Sequence, residues 1–174
     1  VFTVADSEAA IDGTPYATLE EAMGAAQSGD TVVLQQDVDL ESYYYLKSGN
    51  SVTVDLNGHN ITSQSTAFMV KAGSELTLTG SGTVSGQGYA SEKAGGAVVA
   101  WGGVINLEGD VVLTSGASDL AKGGAVWIYY GAFRMNGGRI EGTHAQSGGG
   151  VYAQGYSKGY PGTFEMNGGE ISGC

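Results

Sequence analysis

The chain repeats itself, and that constrains its fold more than any other feature. MNGGRIEG at 135–142 returns as MNGGEISG at 166–173, each preceded by a phenylalanine, Phe133 and Phe164. A second marker recurs out of phase with the first: Gly95-Gly96-Ala97-Val98, Gly123-Gly124-Ala125-Val126 and Gly148-Gly149-Gly150-Val151. STAF at 65–68 and YY at 43–44 carry this register backwards. Five units result, roughly 43–64, 65–94, 95–122, 123–147 and 148–174, and repeats at such a period signal stacked architectures.

Each unit holds three short strand-like pieces. In the first, one face carries Tyr44/Leu46, Phe68/Val70, Val98/Ala100, Val126/Ile128 and Val151/Ala153. In the second it carries Val54/Leu56, Leu76/Leu78, Ile105/Leu107, Phe133/Met135 and Phe164/Met166. The third supplies one main apolar position per unit: Ile61, Val84, Leu113, Ile140 and Ile171. Alternation with period two turns these side chains to one side of each strand, and the match between units stacks them on their counterparts. Three short strands per unit with Gly/Asn/Ser corners describe a parallel β-solenoid. Asn-Gly pairs in LNGHN and MNGG keep hairpins open as an alternative, although a sandwich has no reason to preserve a three-strand register five times.

Residues 1–40 differ. ATLEEAMGAAQSGD (17–30) reads as a short amphipathic helix over about 18–28, with Thr18 and Glu21 at capping-box spacing and Leu19, Ala22, Met23 and Ala26 on one face. Gly29 stands where a C-cap glycine belongs, and TVVLQQDV (31–38) then turns to strand character. The division expected is an N-terminal cap over 1–40 and β-helix coils over 43–174.

The combination of EEAMGAAQSGDTVVL with the later GGAV, MNGGRIEG, GGGVY and MNGGEISG resembles right-handed parallel β-helix proteins of the pectin-lyase-like superfamily. It is closer to the glycine-rich β-helix repeats of large surface proteins in gut-dwelling Gram-positive bacteria. The resemblance spans nearly the whole chain; its motifs are specific for fold and weak for function. It implies an all-β, right-handed solenoid of about five three-strand coils, with the N-terminal helix capping the first. It also implies an extracellular setting, secreted or attached to the cell wall.

Composition narrows the function. The 174 residues fit one domain, and 41 % hydrophobic residues in alternating runs suffice for a core. A formal net charge of −11 argues against nucleic acid, since nothing would neutralise its phosphates. The single cysteine, Cys174, leaves neither an internal disulfide nor a CxxC metal site. It reads as the point where a longer protein was cut, with further domains or coils expected beyond it. No apolar run approaches the ~20 residues of a membrane span.

Enzymes of the same superfamily work through acidic clusters in an exterior groove, the lyases adding an arginine or lysine base and calcium. The outward residues of the second strand are Asp55, Thr77, Asn106, Arg134 and Glu165. That row sets a carboxylate beside an arginine without grouping two or three acids on adjacent units, and Arg134–Glu165 reads as a cross-strand ion pair. Arg139–Glu170 and Glu141 near His144 read the same way. No catalytic residue is assigned; Arg134, Glu165 and His144 are the participants a polysaccharide lyase or glycoside hydrolase would draw on. Calcium is the one cofactor left open, with Asp55, Asp110 and Asp119 as ligands beside corner carbonyls, although neither D-x-[DN]-x-[DN]-G nor GGxGxDxUx is present.

The outward face of the first strand is more informative. One column runs Tyr45, Met69, Val99, Trp127 and Tyr152; the next runs Lys47, Lys71, Trp101, Tyr129 and Gln154, with Tyr130 and Tyr156 in the following corner. Coils stacked ~4.8 Å apart make these a contiguous apolar and aromatic patch. Such a patch marks a binding surface, a face covered by a loop or another domain, or the preference of aromatics for strands. As a binding surface it nominates Trp101, Trp127, Tyr129, Tyr152, Tyr45 and Lys71 as contacts for a glycan or a host or cell-surface protein. The expected function is non-catalytic adhesion, with an exterior-groove enzyme and a purely structural spacer as alternatives.

Overall fold

A computed structural model describes residues 7–117 and 119–174. The chain opens with two short strands, β1 (Ala9–Ile11) and β2 (Thr14–Tyr16), followed by helix α1 (Leu19–Ala25). The coils follow, three strands at a time. The first is β3 (Thr31–Leu34), β4 (Val38–Leu40) and β5 (Tyr44–Leu46); the second is β6 (Ser51–Asp55), β7 (Ile61–Ser63) and β8 (Phe68–Lys71). Next come β9 (Glu75–Thr79), β10 (Ser81–Gly86) and β11 (Val98–Trp101), then β12 (Val104–Leu107), β13 (Asp110–Ser115) and β14 (Val126–Tyr129). β15 (Ala132–Met135), β16 (Arg139–Glu141) and β17 (Val151–Gln154) make the fifth coil, and β18 (Thr163–Met166) with β19 (Glu170–Ser172) begins another.

Every third strand pairs in parallel with its counterpart, giving sheets ordered β18-β15-β12-β9-β6-β3-β1-β2, β19-β16-β13-β10-β7-β4 and β17-β14-β11-β8-β5. This is a parallel β-solenoid of about five turns. One row of inward residues, Ile61, Val84, Leu113, Ile140 and Ile171, is in direct register through the six-stranded sheet. Phe68, Val98, Val126 and Val151 do the same in the five-stranded sheet.

Two registers differ from expectation. The ladder begins at Thr31, where β3 pairs in parallel with β6, so β3 and β4 of the first coil lie inside the 1–40 segment expected as cap, while β5 falls within the expected coils. Its corners lack the Asn-Gly and Gly-Gly markers, which hid it. In the eight-stranded sheet, Val52 and Val54 stack on Leu76 and Leu78. Leu56 is buried in the corner beyond, with its N–H donated to the Thr79 carbonyl. Val52, Val54 and Leu56 alternate without a break, so a shift of two residues keeps the same face inward and the pattern alone cannot choose.

The N-terminal end is closed by α1 and the β1–β2 hairpin, whose β1 runs antiparallel to β3. Thr18 Oγ1 accepts from the Glu21 N–H at 3.1 Å, and Glu8 accepts from the Leu19 N–H at 2.8 Å. Leu19, Ala22 and Met23 cover the core end. The helix stops at Ala25, short of the expected 28. Gly29, at φ +97°, sits in the Gln27–Asp30 turn that enters β3 rather than at the helix C-cap.

The MNGG corner works as a coil-to-coil joint. Gly138 and Gly169 take the left-handed conformation (φ +70° and +82°), which glycine adopts without strain. Asn167 Nδ2 donates to Asn136 Oδ1 at 2.9 Å, one rung of a ladder along the axis. Asn57 does not continue it, because the register places Asp55 nearer that position; Asn57 itself is left-handed and donates to the Leu34 carbonyl.

Candidate functional site: an aromatic face on the five-stranded sheet

The outward side of the five-stranded sheet is built in two levels. Met69, Val99 and Trp127 are outward by strand alternation yet buried, at 3 %, 0 % and 2 % exposure. They lie under the segments that precede each Gly-Gly marker. Tyr89 and Ala94 close a small antiparallel loop, Ala94 pairs with Lys122, and Lys122 with Ser147, so these segments stack coil on coil. The approach is tight: a Cβ on Gly95 would stand 2.6 Å from Val99 Cγ2. Lys122 Nζ rests 5.3 Å above the Trp127 ring, and the cover is tied by Lys93–Asp119 at 2.5 Å and Lys122–Glu92 at 3.0 Å. Trp127 is thus the floor of this face. The chain's own segments cover the inner column at Met69, Val99 and Trp127.

That second column stays accessible. Trp101 and Tyr129 are half-buried, with ring centroids 5.0 Å apart, and Trp101 packs edge-on to Trp127 at 5.6 Å. Contacts run on through Tyr130 (4.9 Å from Tyr129) to Tyr156 and Tyr160 (6.0 and 6.4 Å from Tyr130). In the other direction Trp101 meets Tyr89, and Tyr89 meets Tyr43. Edge-to-face geometry dominates, as the ring quadrupole favours. Tyr45 and Tyr152 are partly buried at the margin of the inner column, and Lys71 Nζ lies 4.2 Å over the Tyr45 ring.

Two open cavities flank Trp101. One, of about 410 Å³, is lined by Trp101, Tyr129, Tyr130, Tyr156 and Tyr160. Tyr156 and Tyr160 are 69 % and 60 % exposed, on a loop closed by the Tyr156 N–H to the Tyr160 carbonyl. The other, of about 290 Å³, is lined by Tyr43, Tyr45, Met69, Lys71, Tyr89 and Trp101.

Two further observations concentrate here. Tyr130 has φ +45°, a conformation that costs a bulky residue of order 1–3 kcal/mol. In the same column of the neighbouring coil stands Gly102, at φ +79°. Of the buried side-chain polar atoms without a hydrogen-bond partner among the described residues, Tyr45 Oη, Trp127 Nε1 and Gln154 Oε1 belong to this face; Thr66 Oγ1 is the fourth. Buried polar atoms are seldom left unpaired, so such a cluster needs an explanation.

The outward row of the eight-stranded sheet is Thr53, Thr77, Asn106, Arg134 and Glu165; Asp55 pairs with Thr79 instead of standing opposite Thr77. Here the polar groups satisfy one another. Arg134 lies 3.4 Å from Glu165 and 3.9 Å from Glu75, and Asn106 Nδ2 donates to Glu75 at 2.7 Å. Arg139 pairs with Glu141 at 3.4 Å rather than with its register neighbour Glu170, and His144 is exposed in the loop beyond. Of the carboxylates considered for calcium, Asp55 accepts from the Asn57 N–H, Asp119 is held by Lys93, and Asp110 lines a cavity that Arg139 also lines. Among the described residues no three His, Cys, Asp or Glu gather as a metal site would require. No helix of the described residues is long and apolar enough to cross a membrane.

Tyr89 and Tyr160 are absent from the sequence reading, and Tyr43 enters it only as a register marker. All three lie outside the alternating strands, in YYYL, QGYASEK and SKGYPG, where no period marks them; for Tyr89 and Tyr160 the recurrence of tyrosine after a corner glycine is the one signal available. Comparison of the chain with protein-family models, curated proteins and solved structures finds no match.

Proposed function

We propose that the protein is a non-catalytic binding module of a secreted or wall-attached bacterial surface protein, holding a glycan on the outward face of its five-stranded sheet. The observation that carries this reading is the cavity lined by Trp101, Tyr129, Tyr130, Tyr156 and Tyr160 alone. Aromatic rings with exposed faces and edges suit the C–H faces of pyranose rings, while phenol hydroxyls at their rims meet sugar hydroxyls. Large exposed aromatic surface of this kind mostly serves recognition. A rigid sheet beneath it holds the rings at fixed spacing, so little ordering cost falls on binding.

The test is a glycan array read with the native protein and with Trp101→Ala/Tyr129→Ala/Tyr156→Ala. The native protein is expected to bind a set of glycans that the triple variant loses while keeping its strand-type circular dichroism. Binding that survives the substitutions, or no binding by the native protein, contradicts the reading. Polysaccharides incubated with the protein and assayed for unsaturated or reducing ends check the exterior-groove enzyme. Release above background would overturn the non-catalytic assignment.

A further inference from the structure

We infer that the glycan carries a quaternary ammonium substituent, a trimethylammonium-type group that seats among Trp101, Tyr129, Tyr130, Tyr156 and Tyr160. This rests on the glycan reading above and adds to it the group that the first cavity selects. Five aromatic rings line that cavity of about 410 Å³, with no acidic or basic side chain among the described residues. Lys158 belongs to the Tyr156–Tyr160 loop but is exposed and does not line the cavity. A metal ion or a primary ammonium is strongly hydrated and needs protein oxygens in place of its water. A quaternary ammonium has no N–H to satisfy, so aromatic faces alone can hold it.

The ring angles favour a rounded group. Trp101 and Tyr129 meet at 73°, Tyr129 and Tyr156 at 89°, and Tyr130 and Tyr160 at 86°. A pyranose lies flat on one ring, whereas a near-spherical cation touches several steep walls at once. Neighbouring centroids stand 4.9 to 6.4 Å apart, so a cation among them can lie within about 6 Å of more than one. Tyr130 reaches this wall through its left-handed backbone, over a position where a Cβ on Gly102 would stand 2.4 Å from Tyr130 Cε2. Elsewhere on the face the chain supplies its own cations, Lys71 over the Tyr45 ring and Lys122 over that of Trp127. Among the described residues no such cation lies over the five rings of the first cavity, on a protein of formal net charge −11. Lys71 in the wall of the second cavity repels a cationic ligand from it and leaves the first as its place. A lipid headgroup can carry the same group; a sugar chain is favoured because the net negative charge opposes approach to an anionic membrane surface.

The experiment is calorimetric titration with glucose, galactose and N-acetylglucosamine tetrasaccharides, each with and without a trimethylammonium substituent. Free choline, its uncharged carbon isostere dimethylbutanol, and phosphatidylcholine vesicles are titrated beside them. At least one substituted tetrasaccharide is expected to bind about tenfold tighter than its parent, and choline to exceed dimethylbutanol by a similar factor. Both advantages are expected to be lost in Tyr156→Leu/Tyr160→Leu, which alters two exposed rings of one loop, and kept in Tyr156→Phe/Tyr160→Phe. Parents bound as tightly as their substituted forms overturn the inference and leave the glycan reading standing. Dimethylbutanol bound as tightly as choline, or an advantage that survives the leucine variant, also overturns it. Vesicles bound more tightly than any substituted tetrasaccharide assign the cavity to lipid and overturn it. Failure of every saccharide, substituted or not, overturns both.

Discussion

The outward faces of the five-stranded and eight-stranded sheets share one geometry and differ in chemistry. Both belong to the same coils, with the same parallel register and the same inward core. On the eight-stranded sheet, Glu75, Asn106, Arg134 and Glu165 pair with each other at the surface. On the five-stranded sheet, rings form a continuous surface, one tyrosine is held in a left-handed conformation, and three buried polar atoms lack hydrogen-bond partners among the described residues. In a solenoid the inward residues define the fold, so the outward ones are free to differ from face to face. Function is therefore sought where outward residues leave groups unsatisfied, rather than where charges cancel.

The largest effect that sharpens this contrast comes from the floor. Trp127→Ala opens a cavity beneath the aromatic face and is expected to cost about 3–5 kcal/mol in chemical denaturation. Trp101→Ala, at the surface of the same cluster, is expected to cost much less stability. Equal costs would mean that the two-level description is wrong.

Tyr130→Asn comes next. Asparagine tolerates the left-handed conformation, so released strain offsets lost ring contacts, and stability is expected to stay within about 1 kcal/mol. Glycan binding is expected to fall. A large destabilisation would show that Tyr130 serves packing, not the site.

On the eight-stranded sheet, Arg134→Ala removes exposed ion pairs and is expected to change stability by less than about 1 kcal/mol, with binding unaltered. Any loss of glycan affinity would move the site to that face.

The smallest effect is one of pH. The hydrogen bond from Lys93, then its charge, holds the Asp119 carboxyl below the usual range. A lowered folded pKa means the tie is fully present above the ordinary aspartate value of about 3.9 and is lost as pH falls through the folded pKa. Amide exchange at Tyr89 and Ala94, corrected for intrinsic rate, should quicken over that acid window as the cover loosens. Rates that stay flat there would separate the cover from this ion pair.

Much of this was legible in the sequence, for reasons that individual residues show. The rows through Ile61 and Phe68 have one possible register, because Gly-Gly markers and single apolar positions allow one alignment. Val54 and Leu56 differ from their expected places by two residues because an unbroken alternation has no landmark. β4 of the first coil carries no corner motif in QQDVDL that would mark it as part of a coil. Strand periodicity points Trp101 and Tyr129 outward, but it does not say which outward residues are covered. Trp127 is buried by aperiodic loops whose docking no pattern records.

Trp101 and Trp127 are the only two tryptophans, and they allow the most direct test of the aromatic face as the binding site. In Trp127→Phe, Trp101 is the sole tryptophan reporter, and its quenching by acrylamide is measured with and without a saturating bound oligosaccharide. Marked protection of Trp101 on binding is the expected result. Unchanged quenching, while calorimetry shows the oligosaccharide bound, would place the glycan elsewhere and contradict the assignment.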